Sequence, residues 1–312
     1  MNILKGLRAL MESHLAVVAL ALAIGIIFSD LVTPFSQYST IFLGIIFFLS
    51  SLKIDIKTVI NDLTDKGMLI AVNLFMLIVF PIAIYFITLS LYPSLAIAFL
   101  ILAAMPSGMT APLLSEITGG RQSLALVLTV TTSLLAPITV PFMIKTLAGA
   151  EVSVSFWDMS LLLATVIYIP FIAAQVIKHY GQDAVDRIAF TFKPISVFFL
   201  GVLITVVIAK QADAIISSLT GNGLALVYLG LLFVLFIIFH IAGYFTIFWR
   251  NPKDRVTITV CLAYMNFTLA IELANTFFSE PNIVLPVVLS VIPWAVLLVP
   301  YKWTMKRLGF VG

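Results

Sequence analysis

Ala103-Ala104-Met105-Pro106-Ser107-Gly108-Met109-Thr110-Ala111-Pro112 interrupts an apolar run long enough to cross a bilayer. Pro106 and Pro112 each remove a backbone donor and disfavour helix in the residue before them. Gly108 between them lowers helix propensity further. A helix entering this stretch must break, and backbone groups freed at membrane depth are tolerated only against protein or water. A second stretch, Ala263-Tyr264-Met265-Asn266-Phe267-Thr268-Leu269, also sets polar side chains in the middle of an apolar run. It has no proline or glycine. Its break is inferred from spacing: Thr110 and Asn266 are 156 residues apart, as are Glu116 and Glu272, and Pro137 and Pro293. Three matches at one offset in 312 residues point to a duplicated unit of half the chain.

Composition fixes the solvent. The chain is 62% hydrophobic and 10% charged, with a mean hydropathy of +1.18. Soluble domains carry roughly 25% charged residues, so much of this surface faces lipid. The basic residues are scattered between apolar runs, so the net charge of +3 makes no nucleic-acid surface. The single cysteine, Cys261, allows no intrachain disulfide and reads as a small packing residue.

Ten runs approach the roughly 20 residues a helical crossing needs: about 14–32, 37–53, 67–90, 93–118, 122–147, 157–178, 192–212, 222–248, 255–278 and 283–304. The expected fold is all-α and integral to the membrane. If the N-terminus is cytoplasmic and the spans alternate, fifteen Lys and Arg lie inside and only Lys145 and Lys210 outside. That bias follows the positive-inside rule and puts both termini in the cytoplasm of a cell (inner or plasma) membrane. The domain expectation is a first five-helix repeat at 1–147, a linker at 148–157 and a second repeat at 158–312. Five spans per repeat insert the second copy upside down, an inverted five-plus-five repeat with broken helices 4 and 9.

Two breaks meeting at mid-membrane would point half-helix ends at one cavity. Positive N-terminal ends favour an anion there, and unwound carbonyls a cation. Ser107, Gly108, Thr110, Asn266 and Thr268 are the expected substrate contacts. Glu116 and Glu272 are carboxylates inside apolar runs, each a proton relay or a cation ligand. Thr129 and Thr132 face span four if spans four and five form a hairpin through Gly119-Gly120, and hydroxyls near Thr129 suit sodium. Asn73 is a further intramembrane polar residue placed with the coupling set. No cofactor is expected beyond a coupling sodium ion or proton. The expected partners are a small organic anion and the bilayer; the sequence does not fix an oligomeric state.

Three groups of residues resemble the bile acid:sodium symporter family. Leu43-Gly44-Ile45-Ile46-Phe47-Phe48-Leu49 with Leu52-Lys53 is similar to its second span. Pro106-Ser107-Gly108, the Gly120 turn and Leu135-Ala136-Pro137-Ile138-Thr139-Val140-Pro141 resemble its fourth and fifth. The resemblance implies a panel of helices 1, 2, 6 and 7 and a core of helices 3–5 and 8–10. It also implies alternating access, with organic anions moved by sodium symport. The chain departs from the pattern where Ala111-Pro112 replace the family's Ser-Asn. It departs again at Cys261 and Met265, where the family has glutamate and glutamine, and at Ala125, which replaces a serine. Asn266 and Thr129 match, but most side-chain ligands of the family's sodium sites are absent. Rival readings are a proton-coupled or uncoupled carrier, an arsenite- or auxin-type carrier, an intramembrane enzyme and a non-transporting sensor. Span four lacks the cysteine of the arsenite type. The chain has no HExxH, no paired aspartates and no cysteine–histidine spacing for an enzyme.

Overall fold

The computed structural model describes residues 14–61, 65–149, 154–220 and 223–310. The basic residues Lys5 and Arg8, and residues 150–153 of the expected linker, lie outside it. The chain folds as helices: α1 (His14–Ile27), α2 (Ser39–Ser51), α3 (Lys66–Leu91), α4 (Ala96–Ala104), α5 (Ala111–Ile117), α6 (Gln122–Leu147), α7 (Phe156–Lys210), α8 (Leu224–Thr246), α9 (Pro252–Ala263), α10 (Phe267–Phe277) and α11 (Pro281–Arg307). Among the described residues the only β pairing is one isolated antiparallel bridge, Ser107 to Met265.

Among the described residues, six helices are long and apolar enough to cross a membrane: the segment Ser29–Ser51, α3, α6, α7, α8 and α11. α7 runs for 55 residues, about 80 Å at the helical rise, far more than one crossing needs. Non-helical dihedrals at Gly181 divide it into two arms. The loop expected between spans six and seven is therefore mostly helix. Leu161, Ile169, Ile172 and Val176 of α7 are each at least half exposed, as are Ile70 and Leu74 of α3. A helix that turns isoleucine and leucine outward is solvated by hydrocarbon, not water. The protein is a multi-pass integral membrane protein.

The chain divides into two compact units. The first comprises Met1–Ile54 and Ala164–Leu226. Its described part closes the end of α2 with side chains from α7. Gln175 Nε2 donates to the Ser51 carbonyl at 3.0 Å, and Lys178 Nζ to the Ile54 carbonyl at 2.8 Å. Carbonyls left without helical donors thus gain partners. Burial, and secondarily the charge of Lys193, lowers the pKa of the neighbouring Lys53 ammonium. The expected first span, 14–32, is instead α1 followed by a break at Phe28, a short turn of helix and a 3₁₀ turn at Thr33–Tyr38.

The second unit comprises Asp55–Leu163 and Val227–Gly312. Its centre is formed by the interrupted helices. All nine residues of α4 are buried, as are all residues of α9 from Val256 to Ala263. α4 is apolar on every face, which suits a helix enclosed by others, whereas α9 carries buried Asp254, Thr257 and Thr259 among its apolar residues. Starts and stops follow local chemistry. Asp65 caps α3 by accepting from Met68 N–H at 3.0 Å, and Asn251 caps α9 by accepting from Asp254 N–H at 2.9 Å. Pro112, Pro252 and Pro281 sit in the first turns of α5, α9 and α11, where their missing donors cost nothing. Gly119, at φ 88°, ends α5 in a conformation natural to glycine, and a Cβ there would strike the Phe310 carbonyl.

Candidate functional site at the helix breaks

Both expected breaks exist, and they meet. α4 stops at Ala104, Met105 turns to an extended conformation, and α5 restarts at Ala111. α9 stops at Ala263 and α10 restarts at Phe267. The gaps lie side by side as two antiparallel strands one residue long. Gly108 N–H donates to the Tyr264 carbonyl at 3.0 Å, and Asn266 N–H to the Pro106 carbonyl at 2.8 Å. Each break thus supplies the hydrogen bonds that the other's helix gave up, as buried backbone requires. Gly108 is forced by this approach, because a Cβ there would lie 2.6 Å from the Tyr264 carbonyl oxygen.

α6 backs the crossing. Thr132 Oγ1 donates to the Leu128 carbonyl at 2.6 Å and accepts from Ser107 N–H at 3.1 Å. Ser107 Oγ lies 3.2 Å from Thr129 Oγ1. All three side chains are buried to within 1%. On the other side of the crossing, Asn266 Oδ1 accepts from Leu269 N–H at 3.1 Å and from Thr268 Oγ1 at 2.7 Å. The backbone donor fixes which atom of the amide is oxygen. Asn266 therefore caps α10 with its oxygen and keeps its NH₂ as a donor beside the helix's positive end. Thr110 begins α5 without a side-chain cap and is half-buried.

The structure thus gathers Ser107, Gly108, Asn266, Thr268, Thr129 and Thr132 around one crossing. Other expected residues lie elsewhere. Glu116 is not buried in an apolar run: it is exposed in the last turn of the seven-residue α5, just before Gly119. Glu272 is buried at 1% exposure, about a turn and a half along α10 from the cap. Asn73 lies on α3 and lines a groove against Thr131 and Thr139 of α6, residues other than the two that hold Ser107.

Sequence reasoning missed a polar network at one end of this unit. Asp254 is fully buried in the first turn of α9. It accepts from Arg121 Nη1 at 2.9 Å, Arg250 Nε at 3.3 Å and Asn251 Nδ2 at 2.9 Å. Arg250 also bonds Asp65 at 3.0 Å. Thr257 Oγ1 accepts from Arg121 N–H at 2.7 Å and donates to the Lys253 carbonyl at 2.8 Å. The α5–α6 turn is thereby tied to α9. A Cβ at Gly120 would lie 2.7 Å from Thr257 Oγ1. The signal available in the sequence was four charged residues at the ends of different spans.

Paired broken helices in the buried core of a polytopic protein are the build of a secondary transporter. Residues 10–297 match the sequence profile of the SBF-like CPA transporter family. The chain belongs to that family, and so to transporters and not to enzymes. It is 26% identical over 251 residues to sodium/bile acid cotransporter 7 of Danio rerio, covering 75% of this chain and 73% of that one. It is 24% identical over 200 residues to YocS of Bacillus subtilis, described as an uncharacterised sodium-dependent transporter. That match spans 62% of this chain and 61% of the relative. Identity to the probable sodium/metabolite cotransporter BASS1, chloroplastic, of Arabidopsis thaliana is 24% over 220 residues, 68% of this chain and 52% of that one.

Proposed function

We propose that this protein is a symporter that moves a small organic anion by alternating access, coupled to sodium. The observation that carries this reading is the backbone pairing of the two breaks, Ser107 with Met265, beside buried hydroxyls. Ser107, Thr129 and Thr132 offer neutral oxygens in a closed space, which suits a desolvated monovalent cation. Thr110, Thr268 and the Asn266 amide, with the positive end of α10, suit a carboxylate. Glu272, buried within α10, is a further coupling group in this reading. Sodium is preferred to the proton because relatives are named sodium-dependent or sodium cotransporters, and because Glu116 is exposed.

The two compact units act in this reading as panel and core. The core then holds helices 3–5 and 8–10, with α4–α5 and α9–α10 as its broken fourth and ninth. The proposed architecture is ten crossings in an inverted five-plus-five repeat. Two observations support it: α7 has two arms, and α5 and α10 start 156 residues apart, at Ala111 and Phe267. The distribution of lysine and arginine supports a cell-membrane location with both termini cytoplasmic.

A thermal-shift screen of small mono- and dicarboxylates, each with sodium or with potassium, tests the coupling. A ligand that binds the folded protein raises its Tm. The expected result is an anion whose shift needs sodium and is lost in Ser107→Ala. An anion that shifts Tm equally in both salts contradicts sodium coupling.

A further inference from the structure

The second break has no proline or glycine, yet α9 ends at Tyr264, whose dihedrals leave the helical region at φ −103° and ψ 51°. The Tyr264 carbonyl accepts the Gly108 N–H, so the conformation of this one residue sets how the two breaks meet. Its side chain is fully buried. A buried phenol finds a hydrogen-bond partner, and this one finds α8: Tyr264 Oη lies 3.2 Å from His240 Nε2. The other ring nitrogen, Nδ1, lies 2.7 Å from the Phe236 carbonyl oxygen. A carbonyl only accepts, so Nδ1 carries the proton. Among the described residues no carboxylate forms an ion pair with the ring. The titratable groups that face it are two phenols, Tyr264 after α9 and Tyr301 of α11, at ring-centroid distances of 5.4 and 4.9 Å. A charge within an apolar crossing needs a partner, so the imidazole is neutral. Nε2 is then a lone pair, and the Tyr264 hydroxyl donates to it.

α8 is a firm anchor for this bond. Gly243, about one turn beyond His240, packs against the α9 backbone, where a Cβ would lie 2.6 Å from Thr259 Cα. The Tyr264 ring also meets Trp294 of α11 at 5.9 Å, and Trp294 meets Phe267, the first residue of α10, at 4.6 Å. The phenol is thus held at its hydroxyl by α8 and at its ring by α11.

We propose that His240 is a positioning residue for the crossing: through the Tyr264 hydroxyl it fixes where α9 stops and aims the Tyr264 carbonyl at Gly108. Its bearing on transport rests on the crossing being the transport site; its hold on the break rests on the bonds alone.

Site-resolved hydrogen–deuterium exchange of the full chain in nanodiscs reads the Gly108 amide directly. In His240→Leu and in Tyr264→Phe this amide should exchange about five- to tenfold faster than in wild type, the factor a typical neutral hydrogen bond contributes. Tyr264→Phe removes one oxygen and keeps the ring packing, so it carries the test where loss of the imidazole disturbs α8. The double variant should be no faster than either single one, because both remove the same bond. His240→Gln, whose amide oxygen can accept in place of Nε2, should restore the wild-type rate. A histidine that only fills space would leave Gly108 exchange unchanged in Tyr264→Phe, and that result overturns the proposal. So does a double variant in which the two effects multiply, or His240→Gln exchanging as fast as His240→Leu. In the sodium-dependent thermal shift, His240→Leu should raise the sodium concentration needed for half the effect, and His240→Gln should not. If Gly108 exchange responds as expected while no anion gives a sodium-dependent shift in wild type, the positioning role stands and the transport reading falls.

Discussion

Thr132 carries two bonds on one oxygen, giving its proton to Leu128 and accepting the Ser107 N–H. Thr132→Val keeps the shape and removes both. The helix carbonyl loses little, but the Ser107 amide is left unpaired inside the core. An orphaned buried donor costs about 1–3 kcal/mol. The variant should therefore fold with its Tm lowered by several degrees, read by differential scanning fluorimetry in detergent. An unchanged Tm would mean that Ser107 N–H has another acceptor. Residues 106 to 108 were legible in the sequence because proline and glycine announce a break by their own chemistry. Tyr264 was not. Nothing in its side chain forbids helix, and its break is stabilised by the Gly108 donor, 156 residues away in the chain. Only the matching offset pointed there.

At the scale of elements, the Asp254 network holds together the starts of α3, α6 and α9 and the segment after α8. Asp254 is fully buried but Arg121 and Arg250 are 45% and 31% exposed, so removing its carboxylate costs less than the roughly 3–5 kcal/mol of a fully buried pair. Asp254→Ala should lower Tm more than Thr132→Val does. Asp65→Ala should have a smaller effect, since Asp65 is partly exposed and the Arg250–Asp254 pair remains. If Asp65→Ala proves the more damaging, the network is not centred on Asp254. These ends were the least legible part of the sequence. Hydropathy marks where a span stops, but does not say which charges at different stops will share a partner. The same limit explains Glu116: the apolar run around it reads as one span, whereas the seven-residue α5 ends there and turns the carboxylate outward. It also explains α7, where the two arms meet at the kink of Gly181 and not through the loop that the polar residues there suggested.

For the whole molecule, the lipid-facing surface and the all-helical class follow from composition alone, since no soluble core could enclose 62% hydrophobic residues. The proposed orientation makes a direct prediction. A green fluorescent protein fused after Gly312 should fluoresce, and alkaline phosphatase fused after Gly149 should be active. The reverse pair would invert the topology. The transport cycle is tested most directly by uptake of an anion identified in the thermal screen, in proteoliposomes with and without an inward sodium gradient, for wild type and Gly108→Ala. A Cβ at position 108 pushes the two breaks apart. The account predicts accumulation only with the gradient, and none in folded Gly108→Ala. Accumulation without sodium, or wild-type uptake in Gly108→Ala, would contradict it.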